Sequence, residues 1–341
     1  GYYLREPIGV IGAITPFNFP LNLVAHKVAP AIAVGCPIVL KPSPMTPLTS
    51  LELAKVLLEA GLPEGLFSVV VGDVSVGKQI TKDPRIAMIS FTGSPTVGEK
   101  ISQVTGLRQT TFELGGNAAT IVDEGTPITD KLINRIVVGA FAYSGQVCSS
   151  VQRLYVHESL YDEFRQKLIK RTNDLIAGDP LHEETEIGPL INDAAAERLA
   201  AWTSEAIQQG AVISAGGVVD GRFMHPTIVE NVQNDMQIMC AEAFGPLVNL
   251  IKYTDFDEVL DQVDDSDFGL QAGVYTPFLE RTMRAIKTLD VGGVIINDVP
   301  TFRVDHMPYG GNKKSGVGRE GPRFAIEDMT TIKMVVINPL P

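Results

Sequence analysis

Short, largely apolar segments alternate with helix-forming segments through the first third of the chain, and this alternation limits the possible fold more than any other feature. The apolar segments at residues 9–15, 37–41, 67–71 and 85–91 read as strands, and single helical segments separate them. Strands that are apolar on both faces and joined in this way are typical of a parallel sheet covered by helices on both sides. The pattern predicts a doubly wound α/β domain of the nucleotide-binding kind.

A second series of the same kind begins near Asn117. It predicts further strands and helices, with strands at residues 120–122, 152–156, 212–215, 223–227, 246–253, 272–275 and 294–297. The glycine-rich stretch 308–321 is predicted to be a loop, and 330–338 a terminal strand. No other predicted strand pairs with this last one, so we expect a second subunit to cover its edge.

Charge and cysteine content argue against several classes of protein. The 341 residues include 28 lysines and arginines and 40 aspartates and glutamates, a formal net charge of −12. This balance argues against a nucleic-acid surface and favours a soluble protein. The five histidines are scattered and the three cysteines lack metal-ligand spacing, so no metal site is predicted, and the odd cysteine count favours a reducing compartment. The most apolar run, 28–40, is too short for a membrane span.

One cysteine is a candidate nucleophile. It lies in the sequence Ser144-Gly145-Gln146-Val147-Cys148-Ser149-Ser150, directly after an apolar run that reads as a helix. A thiol among small residues can open to a cleft, and cysteine is intrinsically the strongest nucleophile among protein side chains. A buried thiol that behaves as a small hydrophobic group is the alternative. Cys36 and Cys240 are predicted to be packed in the interior.

The turn after the fourth apolar segment is a candidate phosphate site. It has the sequence Phe91-Thr92-Gly93-Ser94-Pro95-Thr96-Val97-Gly98. Ser94 suits the N-cap of a helix and Pro95 its first position, and backbone N–H groups at such a helix start can bind a pyrophosphate. An ordinary capped helix start is the alternative. Residues 316–321 match Gly-x-Gly-x-x-Gly but follow no predicted strand, so we do not interpret them as a dinucleotide fingerprint.

Six short motifs stand in order along the chain. They are Thr15-Pro16-Phe17-Asn18-Phe19-Pro20, Lys41-Pro42-Ser43-Pro44, Phe112-Glu113-Leu114-Gly115-Gly116, Gly145-Gln146-Val147-Cys148, Glu242-Ala243-Phe244-Gly245-Pro246 and Pro308-Tyr309-Gly310-Gly311. In order and spacing they resemble the aldehyde dehydrogenase superfamily, nearest its lactaldehyde and non-phosphorylating glyceraldehyde-3-phosphate dehydrogenase branch. The resemblance covers essentially the whole chain, which lacks the further N-terminal segment that the family normally carries. It implies NAD(P)-dependent oxidation of an aldehyde to a carboxylic acid.

The resemblance implies three catalytic residues. Cys148 is expected to attack the aldehyde carbonyl and form a thiohemiacetal. Asn18 is expected to donate its amide to the oxyanion, where one such donor typically contributes ~3 kcal/mol. Glu113 is expected to activate the water that hydrolyses the later thioester, because burial would raise its pKa toward the working pH. On their own, Asn18 also fits an ordinary turn and Glu113 a strand-terminal cap.

The resemblance also implies the residues that bind NAD or NADP. They are Lys41, Ser43, Thr92, Gly93, Ser94, Leu114, Glu242 and Phe244. Family members that prefer NAD often have a glutamate three residues after the lysine, and this chain has Pro44 there. Loss of that carboxylate removes repulsion toward a 2′-phosphate, so we expect NADP to be accepted, and it is a candidate for the preferred cofactor.

The substrate is expected to be a short aldehyde with a hydroxyl or an anionic group, of the lactaldehyde, glyceraldehyde 3-phosphate, sulfolactaldehyde or semialdehyde type. Arg303 lies where the substrate-mouth loop of the family runs, and a guanidinium can bind a carboxylate, sulfonate or phosphate in a bidentate way. Phe19 is a second candidate substrate contact. The alternative for Arg303 is a solvated loop residue paired with Asp305.

The expected fold class is α/β, with two doubly wound domains, a Rossmann-like cofactor domain and a catalytic domain, plus an oligomerisation strand. We expect the cofactor-binding domain at residues 1–115, with its N-terminal part missing and 1–7 in the oligomerisation strand. The catalytic domain is expected at 116–311, and the return segment with the C-terminal oligomerisation strand at 312–341.

The expected partners are a small-molecule aldehyde, NAD or NADP, and further copies of the chain in a homodimer or homotetramer. No nucleic acid, membrane or metal is expected, and the expected location is the cytoplasm. Two alternatives stay open. A CoA-acylating relative would pass the acyl group to CoA, whereas Glu113 favours water. A catalytically silent binding or structural protein would keep only the fold, and the joint presence of Cys148, Glu113 and Asn18 argues against it.

Overall fold

The computed structural model describes residues 1–340, and the chain forms two compact units. The first unit contains Gly1–Leu114, Arg303–Gly310 and the residues from Gly316 onward, and the second contains Gly115–Phe302 and Gly311–Ser315. The predicted boundary at 115/116 lies one residue after the boundary between the units. The units differ from the predicted domains at 303–310, which belongs to the first unit, and at 312–315, which belongs to the second unit and not with the rest of the return segment.

The elements alternate in chain order much as the sequence predicts. The first unit begins with β1 (Tyr2–Pro7), β2 (Val10–Ile14), α1 (Asn22–Ala33), β3 (Ile38–Lys41), α2 (Pro47–Glu59), β4 (Phe67–Val69), α3 (Val74–Lys82), β5 (Ile86–Thr92), α4 (Pro95–Thr105) and β6 (Gln109–Glu113). The second unit continues with β7 (Ala118–Val122), α5 (Asp130–Phe141), a 3₁₀ turn (Ala142–Gly145), β8 (Val151–His157), α6 (Glu158–Asn173), α7 (Asp193–Gln208), β9 (Val212–Ala215), β10 (Val219–Asp220), β11 (Phe223–Met224), β12 (Thr227–Glu230), α8 (Gln237–Cys240), β13 (Leu247–Tyr253), α9 (Phe256–Asp264), β14 (Phe268–Gly269), β15 (Gln271–Tyr275), α10 (Leu279–Thr288), β16 (Gly293–Ile296) and β17 (Asn312–Lys313). The first unit ends with β18 (Gly316–Val317), α11 (Pro322–Asp328) and β19 (Thr330–Val335).

The main sheet of the first unit has the strand order β18-β6-β5-β2-β3-β4. Strands β2 to β6 are mutually parallel, as predicted from their apolar faces. The prediction of a loop throughout 308–321 is wrong at 312–313, which is β17, and at 316–317, where β18 pairs antiparallel with the end of β6 and places Gly316 opposite Glu113. Two apolar clusters cover the sheet, one around Ile11, Leu40 and Met88 and one around Phe91 and Phe112.

Parallel pairing brings the carboxyl ends of neighbouring strands to one edge of this sheet. Ile14 at the end of β2 pairs with Lys41 at the end of β3 and with Phe91 on β5. Thr92 at the end of β5 pairs with Glu113 at the end of β6. Ligands of open α/β sheets bind at this edge.

The second unit is built on a sheet of order β16-β15-β7-β8-β13-β12-β9. All its neighbouring strands are parallel except β9, which runs antiparallel to β12. The predicted single strand at 223–227 is two shorter strands, β11 and β12. Helices α5 and α6 pack an apolar cluster on one face, and α9 and α10 contribute to a second cluster with β7 and β15.

Strand β19 pairs antiparallel with β1, with Tyr2 opposite Val335 and Pro7 opposite Thr330. The expectation that the terminal strand lacks a partner in its own chain is therefore wrong. The pairing joins the two ends of the described chain, a relationship that local sequence patterns do not contain. Apolar side chains of this two-stranded ribbon remain exposed, among them Tyr3 and Met334.

Cys36 is buried as predicted, and its thiol contacts the carbonyl of Met329 at 3.4 Å. The prediction for Cys240 is wrong, because this residue ends the four-residue helix α8 with its side chain exposed. No disulfide joins the three cysteines, all of which lie within residues 1–340. In that same range no helix is long and apolar enough to cross a membrane, and no cluster of candidate metal ligands occurs.

Candidate active site

The strand ends of the first unit carry several of the residues expected to bind cofactor. Lys41 is buried and its amine donates to the carbonyl of Pro42 at 3.2 Å. Burial lowers the pKa of Lys41, and the negative charge of Asp73 opposes that shift. Ser43 and Thr92 are buried as well, and Thr92 Oγ1 has no hydrogen-bond partner among the described residues. Buried hydroxyl groups have a hydrogen-bond partner in the large majority of cases, so this one is a candidate ligand contact.

Helix α4 starts as the sequence predicts, with Ser94 at the N-cap and Pro95 at the first position. The Ser94 hydroxyl makes no capping bond, while its carbonyl accepts from the N–H groups of Val97 and Gly98 at 3.1 and 3.0 Å. A Cβ on Gly98 would lie 2.6 Å from Leu114 Cδ2. The absence of that side chain allows Leu114 to lie against the start of the helix. Within the first unit, the turn around Gly93 and Leu114 are therefore close together.

Asn18 lies buried in the turn between β2 and α1. The next residue, Phe19, is partly buried and has the left-handed φ of 48°, which is uncommon for a bulky residue. The carbonyl of Phe19 accepts from the N–H of Leu23 at 3.0 Å, and the N–H of Thr15 donates to the carbonyl of Lys41 at 3.1 Å. Bonds on both sides of Asn18 fix the course of the turn.

Glu113 ends β6 in a fully buried position. Neither carboxylate oxygen accepts a hydrogen bond from the described residues. A Cβ on Gly310 would lie 2.8 Å from Glu113 Oε1, so the backbone of Gly310 borders the carboxyl group closely. Burial, followed by the charge of Glu320, raises the pKa of Glu113 well above its ordinary value. This is the shift that the sequence reasoning anticipated for a general base.

Sequence reasoning missed the charged residues that surround Glu113. Lys27 Nζ lies 2.9 Å from Glu320 Oε1 and 3.0 Å from Ser90 Oγ. The available signal was the position of Lys27 on the apolar face of α1, beside Val24 and Val28, because a lysine is almost never fully buried without a partner. We call His26, Lys27, Glu113, Arg303 and Glu320 the buried charge cluster.

Arg303 belongs to this cluster. Its Nη2 lies 3.6 Å from Glu320 Oε2 and donates to His26 Nδ1 at 3.3 Å. The guanidinium stands 4.0 Å from the centre of the Tyr309 ring, a favourable cation–π distance. Asp305 faces His26 Nε2 at 3.6 Å. Asp305, which was the alternative partner for a solvated Arg303, therefore lies next to His26. Arg303 itself is mostly buried.

In the second unit, an unusual backbone turn precedes Cys148. Tyr143, Ser144 and Gly145 all have left-handed φ angles, of 56°, 56° and 66°, and such strain persists only where the surroundings enforce it. Ser144 Oγ donates to the carbonyl of Gly188 at 2.8 Å, and Gln146 Oε1 accepts from the N–H of Ile191 at 2.9 Å. These bonds fix the approach to the cysteine.

Cys148 is partly exposed and lies three residues before β8. Because β7 and β8 are parallel neighbours, the residues before them also lie side by side. A Cβ on Gly116 would collide with the carbonyl oxygen of Cys148, and the N–H of Gly116 donates to Glu242 Oε1 at 2.9 Å. The second unit thus brings Cys148 and Glu242 together around the Gly115-Gly116 pair.

Glu242 is almost completely buried. Burial raises its pKa to about 7, although the N–H of Gly116 and the charge of Arg198 act in the opposite direction. Arg198, which sequence reasoning did not identify, donates to the carbonyl of Ala243 at 2.8 Å. Phe244 follows with the left-handed φ of 47°, so the segment around Glu242 has a single, constrained course.

Comparison with known proteins agrees with the motifs. Residues 1–335 match the Aldehyde dehydrogenase family. The chain belongs to the aldehyde dehydrogenase family. It is 47% identical over 338 residues to a 3-sulfolactaldehyde dehydrogenase of Priestia aryabhattai, a match that covers 99% of this chain and 71% of that relative.

Two solved structures of the family are close to this fold. Aldehyde dehydrogenase 21 from Physcomitrella patens, in complex with the reaction product succinate, has a TM-score of 0.96 and 42% identity, and the match covers 98% of this chain and 70% of that one. Glyceraldehyde-3-phosphate dehydrogenase GapN from Methanocaldococcus jannaschii, complexed with NADP, has a TM-score of 0.95 and 40% identity, with 98% and 74% covered. The predicted family and α/β fold class are confirmed, and the chain is an NAD(P)-dependent aldehyde dehydrogenase.

Proposed function

We propose that this aldehyde dehydrogenase oxidises a short aldehyde with a hydroxyl or an anionic group to its carboxylic acid, and that water releases the acid. The observation that carries the proposal is the buried carboxyl of Glu113, which has no hydrogen-bond partner among the described residues and a raised pKa. A carboxyl in this state is suited to accept a proton from water near neutral pH. A structural carboxylate would normally be bonded.

In the proposed reaction the Cys148 thiolate attacks the carbonyl carbon and forms a thiohemiacetal. Asn18 and the N–H of Cys148 donate to the oxyanion that develops. Bound NAD(P) would supply the acceptor for the hydride of the former carbonyl carbon. Cys148 then carries a thioester, which water attacks as Glu113 takes its proton, and the thiolate is the leaving group. The products are the carboxylic acid, the reduced nicotinamide and one proton.

The residues of each unit fit parts of the cofactor. In the first unit, the buried Lys41 amine and Thr92 hydroxyl, with Ser43, suit the adenosine ribose and phosphate, and Gly93, Ser94 and Leu114 lie at the start of α4. In the second unit, Glu242 offers a carboxylate for the nicotinamide ribose, and Phe244, two residues further along the chain, is the candidate contact for the nicotinamide ring.

NADP is accepted in this proposal, because Pro44 replaces the carboxylate that would repel a 2′-phosphate. The related GapN structure is complexed with NADP, which supports the acceptance of NADP. A kcat/KM for NAD more than about tenfold above that for NADP, a difference of ~1.4 kcal/mol, would contradict it.

An anionic aldehyde fits this chain best. The names of three relatives refer to a sulfonated aldehyde, to glyceraldehyde 3-phosphate and to succinate, all of which carry an anionic group, whereas others are lactaldehyde dehydrogenases, whose aldehyde is hydroxylated and uncharged. Arg303 is the candidate ligand for that group, and Phe19 is a candidate contact for the rest of the substrate. If Arg303 binds the anion, Arg303→Gln raises KM for anionic aldehydes and leaves KM for uncharged ones unchanged.

The test is nicotinamide reduction by the full-length protein. NAD and NADP are each combined with sulfolactaldehyde, lactaldehyde, glyceraldehyde 3-phosphate, succinate semialdehyde and an uncharged aldehyde, beside Cys148→Ala. The proposal expects nicotinamide reduction that disappears in Cys148→Ala. It also expects one of the anionic aldehydes to be the best substrate. An acyl-CoA product when CoA is added would indicate the acylating alternative. Bound cofactor without reduction of any pair would indicate a silent protein.

We also propose that the chain associates with copies of itself through the β1–β19 ribbon. The ribbon has two strands, and Tyr3, Ile332 and Met334 on it are more than half exposed. A two-stranded ribbon is marginal alone, and its open edges can pair with another copy. Light scattering on Ile332→Lys/Met334→Lys should then show smaller assemblies than the parent protein. A reducing compartment, the cytoplasm, fits three cysteines without a disulfide.

A further inference from the structure

The buried charge cluster has several polar atoms that lack hydrogen-bond partners. They are both carboxylate oxygens of Glu113, Oε2 of Glu320, Nε of Arg303 and Nε2 of His26, none of which is bonded within the described residues. Buried polar atoms are bonded in the great majority of cases, so each exception needs an explanation. Five exceptions in one cluster of the first unit indicate a site whose bonding changes during function.

Arg303 is held in position but is not saturated. Its contact with Glu320 Oε2 is 3.6 Å, whereas a well-formed pair of this type measures about 2.7–2.9 Å. The Tyr309 ring supports the guanidinium plane at 4.0 Å, and His26 Nδ1 accepts from Nη2 at 3.3 Å. Burial and the charge of Arg303 both lower the pKa of His26, which agrees with a neutral ring that accepts this bond. A fork-shaped cation with an unused N–H and one long contact can accept a second anion.

We propose that Arg303 is a positioning residue shared between Glu320 and the anionic group of the substrate, so that binding of an anionic aldehyde shifts the protonation equilibrium of Glu113. This inference rests on the proposed function, in which Glu113 is the general base. It adds that the charge of the substrate sets the strength of that base.

The direction of the effect follows from the charges around the two carboxyls. The charged groups that face Glu113 are Glu320, Lys27, Arg303 and Arg319. Those that face Glu320 are Lys27, His26 and Arg303, and Asp305 lies on the far side of His26. Burial opposes ionisation of Glu320, but the positive charge of Lys27, which also donates a hydrogen bond to it, holds the pKa of Glu320 below the ordinary value. Glu320 is therefore the ionised partner and Glu113 the carboxyl that holds a proton more tightly.

An anion bound at Arg303 changes this balance in one direction. Arg303 lowers the pKa of Glu113, as Lys27 and Arg319 do. A substrate anion offsets the charge of Arg303 and adds a negative charge to the cluster, and both changes make the ionised form of Glu113 less favourable. The anionic substrate therefore makes Glu113 a stronger base that ionises at higher pH.

The test compares two aldehydes that differ in charge but hardly in shape, succinate semialdehyde and its uncharged primary amide. Thioester hydrolysis by the full-length enzyme is followed in single turnovers from about pH 5 to pH 9. We expect the midpoint of the acid limb to lie about one pH unit higher for the anionic aldehyde. In Arg303→Gln the two midpoints should coincide, Arg303→Lys should restore part of the difference, and the exposed Arg323→Gln should retain all of it.

Coincident midpoints in the parent enzyme would overturn the inference without touching the proposed function, provided that Glu113→Gln abolishes hydrolysis. Unchanged hydrolysis in Glu113→Gln would instead overturn the proposed function, and the inference with it. A second measurement avoids turnover. Saturating succinate should strengthen the infrared band of protonated Glu113, identified by its loss in Glu113→Gln, and succinamide should not. An identical band with both ligands would contradict the shared role of Arg303.

Discussion

Lys27 Nζ lies 2.9 Å from Glu320 Oε1, and the two side chains are only 1% and 4% exposed. Lys27 belongs to α1 and Glu320 precedes α11, so the pair joins parts of the chain that are 293 residues apart. Ser90 on β5 accepts a further bond from the same amine. The pair thus connects a helix, the sheet and the return segment of the first unit beside Glu113.

Removal of Lys27 should destabilise the protein strongly. Lys27→Met leaves Glu320 buried without its cation, which typically costs about 3–5 kcal/mol. Urea unfolding at neutral pH measures this loss. Lys27→Met/Glu320→Gln removes both charges and should recover part of it, whereas Arg323→Gln, which breaks an exposed pair with Glu327, should cost less than about 1 kcal/mol. An equal loss in the single and double variants would show that the buried charge is not the cause.

Glu113→Gln should change how stability depends on pH. The pKa of Glu113 is raised in the folded state, from an ordinary value of 4.5. Its stabilising contribution is therefore complete below about pH 4.5 and is lost as the pH rises through the raised pKa. Glutamine has no such titration, so the unfolding free energy of the variant relative to the parent should increase between about pH 5 and pH 8. Urea unfolding at several pH values checks this.

The matched control is the exposed Glu52 on α2. Glu52→Gln should leave the difference in unfolding free energy between about pH 5 and pH 8 the same as in the parent protein. A constant difference between Glu113→Gln and the parent across that range would mean that Glu113 ionises in the folded protein as it does in the unfolded chain.

The sequence predicts the architecture well where local pattern decides it. Apolar strands that are separated by single helices are typical of parallel sheets, and both main sheets are largely parallel. The Ser94-Pro95 pair correctly predicts the residue at which α4 starts. The pairing of β1 with β19 and of β18 with β6 was not predictable in this way. Both are contacts between distant segments, and a strand of two residues has no period to detect.

Some residues of the candidate site could likewise be predicted from local sequence and others could not. Residues that stand in recognisable motifs, such as Cys148 and Glu113, could be named from the sequence. Glu320 could not, because it lies in a glycine-rich stretch where a glutamate is ordinarily solvated. Arg303 was noticed, but its neighbours depend on the folded return segment. Physical rules on buried charge would have required a partner for Lys27 without saying which residue supplies it.

The Gly115-Gly116 pair offers two adjacent substitutions with different expected effects. A Cβ on Gly115 would lie 2.7 Å from Glu242 Cδ, so Gly115→Ala should weaken cofactor binding. A Cβ on Gly116 would collide with the Cys148 carbonyl, so Gly116→Ala should displace the nucleophile and lower kcat by about 100-fold. Fluorescence titration of the cofactor measures the effect expected of Gly115→Ala, and the rate of Cys148 alkylation measures the effect expected of Gly116→Ala.

The control for this pair is Gly178→Ala, whose added Cβ would meet only the Thr185 hydroxyl, at 3.3 Å. It should behave as the parent in both measurements. Equal losses of cofactor affinity in Gly115→Ala and Gly116→Ala would contradict the assignment of one glycine to Glu242 and the other to Cys148.

Cofactor binding should weaken as the pH falls through about 7. Burial raises the pKa of Glu242 to about 7, and a ribose hydroxyl donates a stronger hydrogen bond to a carboxylate than to a neutral carboxylic acid. Below that pH Glu242 takes up a proton and loses part of its capacity as an acceptor. We expect the Kd for the preferred cofactor, measured by fluorescence titration without aldehyde, to rise severalfold from about pH 8 to pH 6. Glu242→Gln should bind more weakly at the upper end of this range and show no such rise, since the amide does not titrate. A rise of the same size in Glu242→Gln would assign the pH dependence to another group.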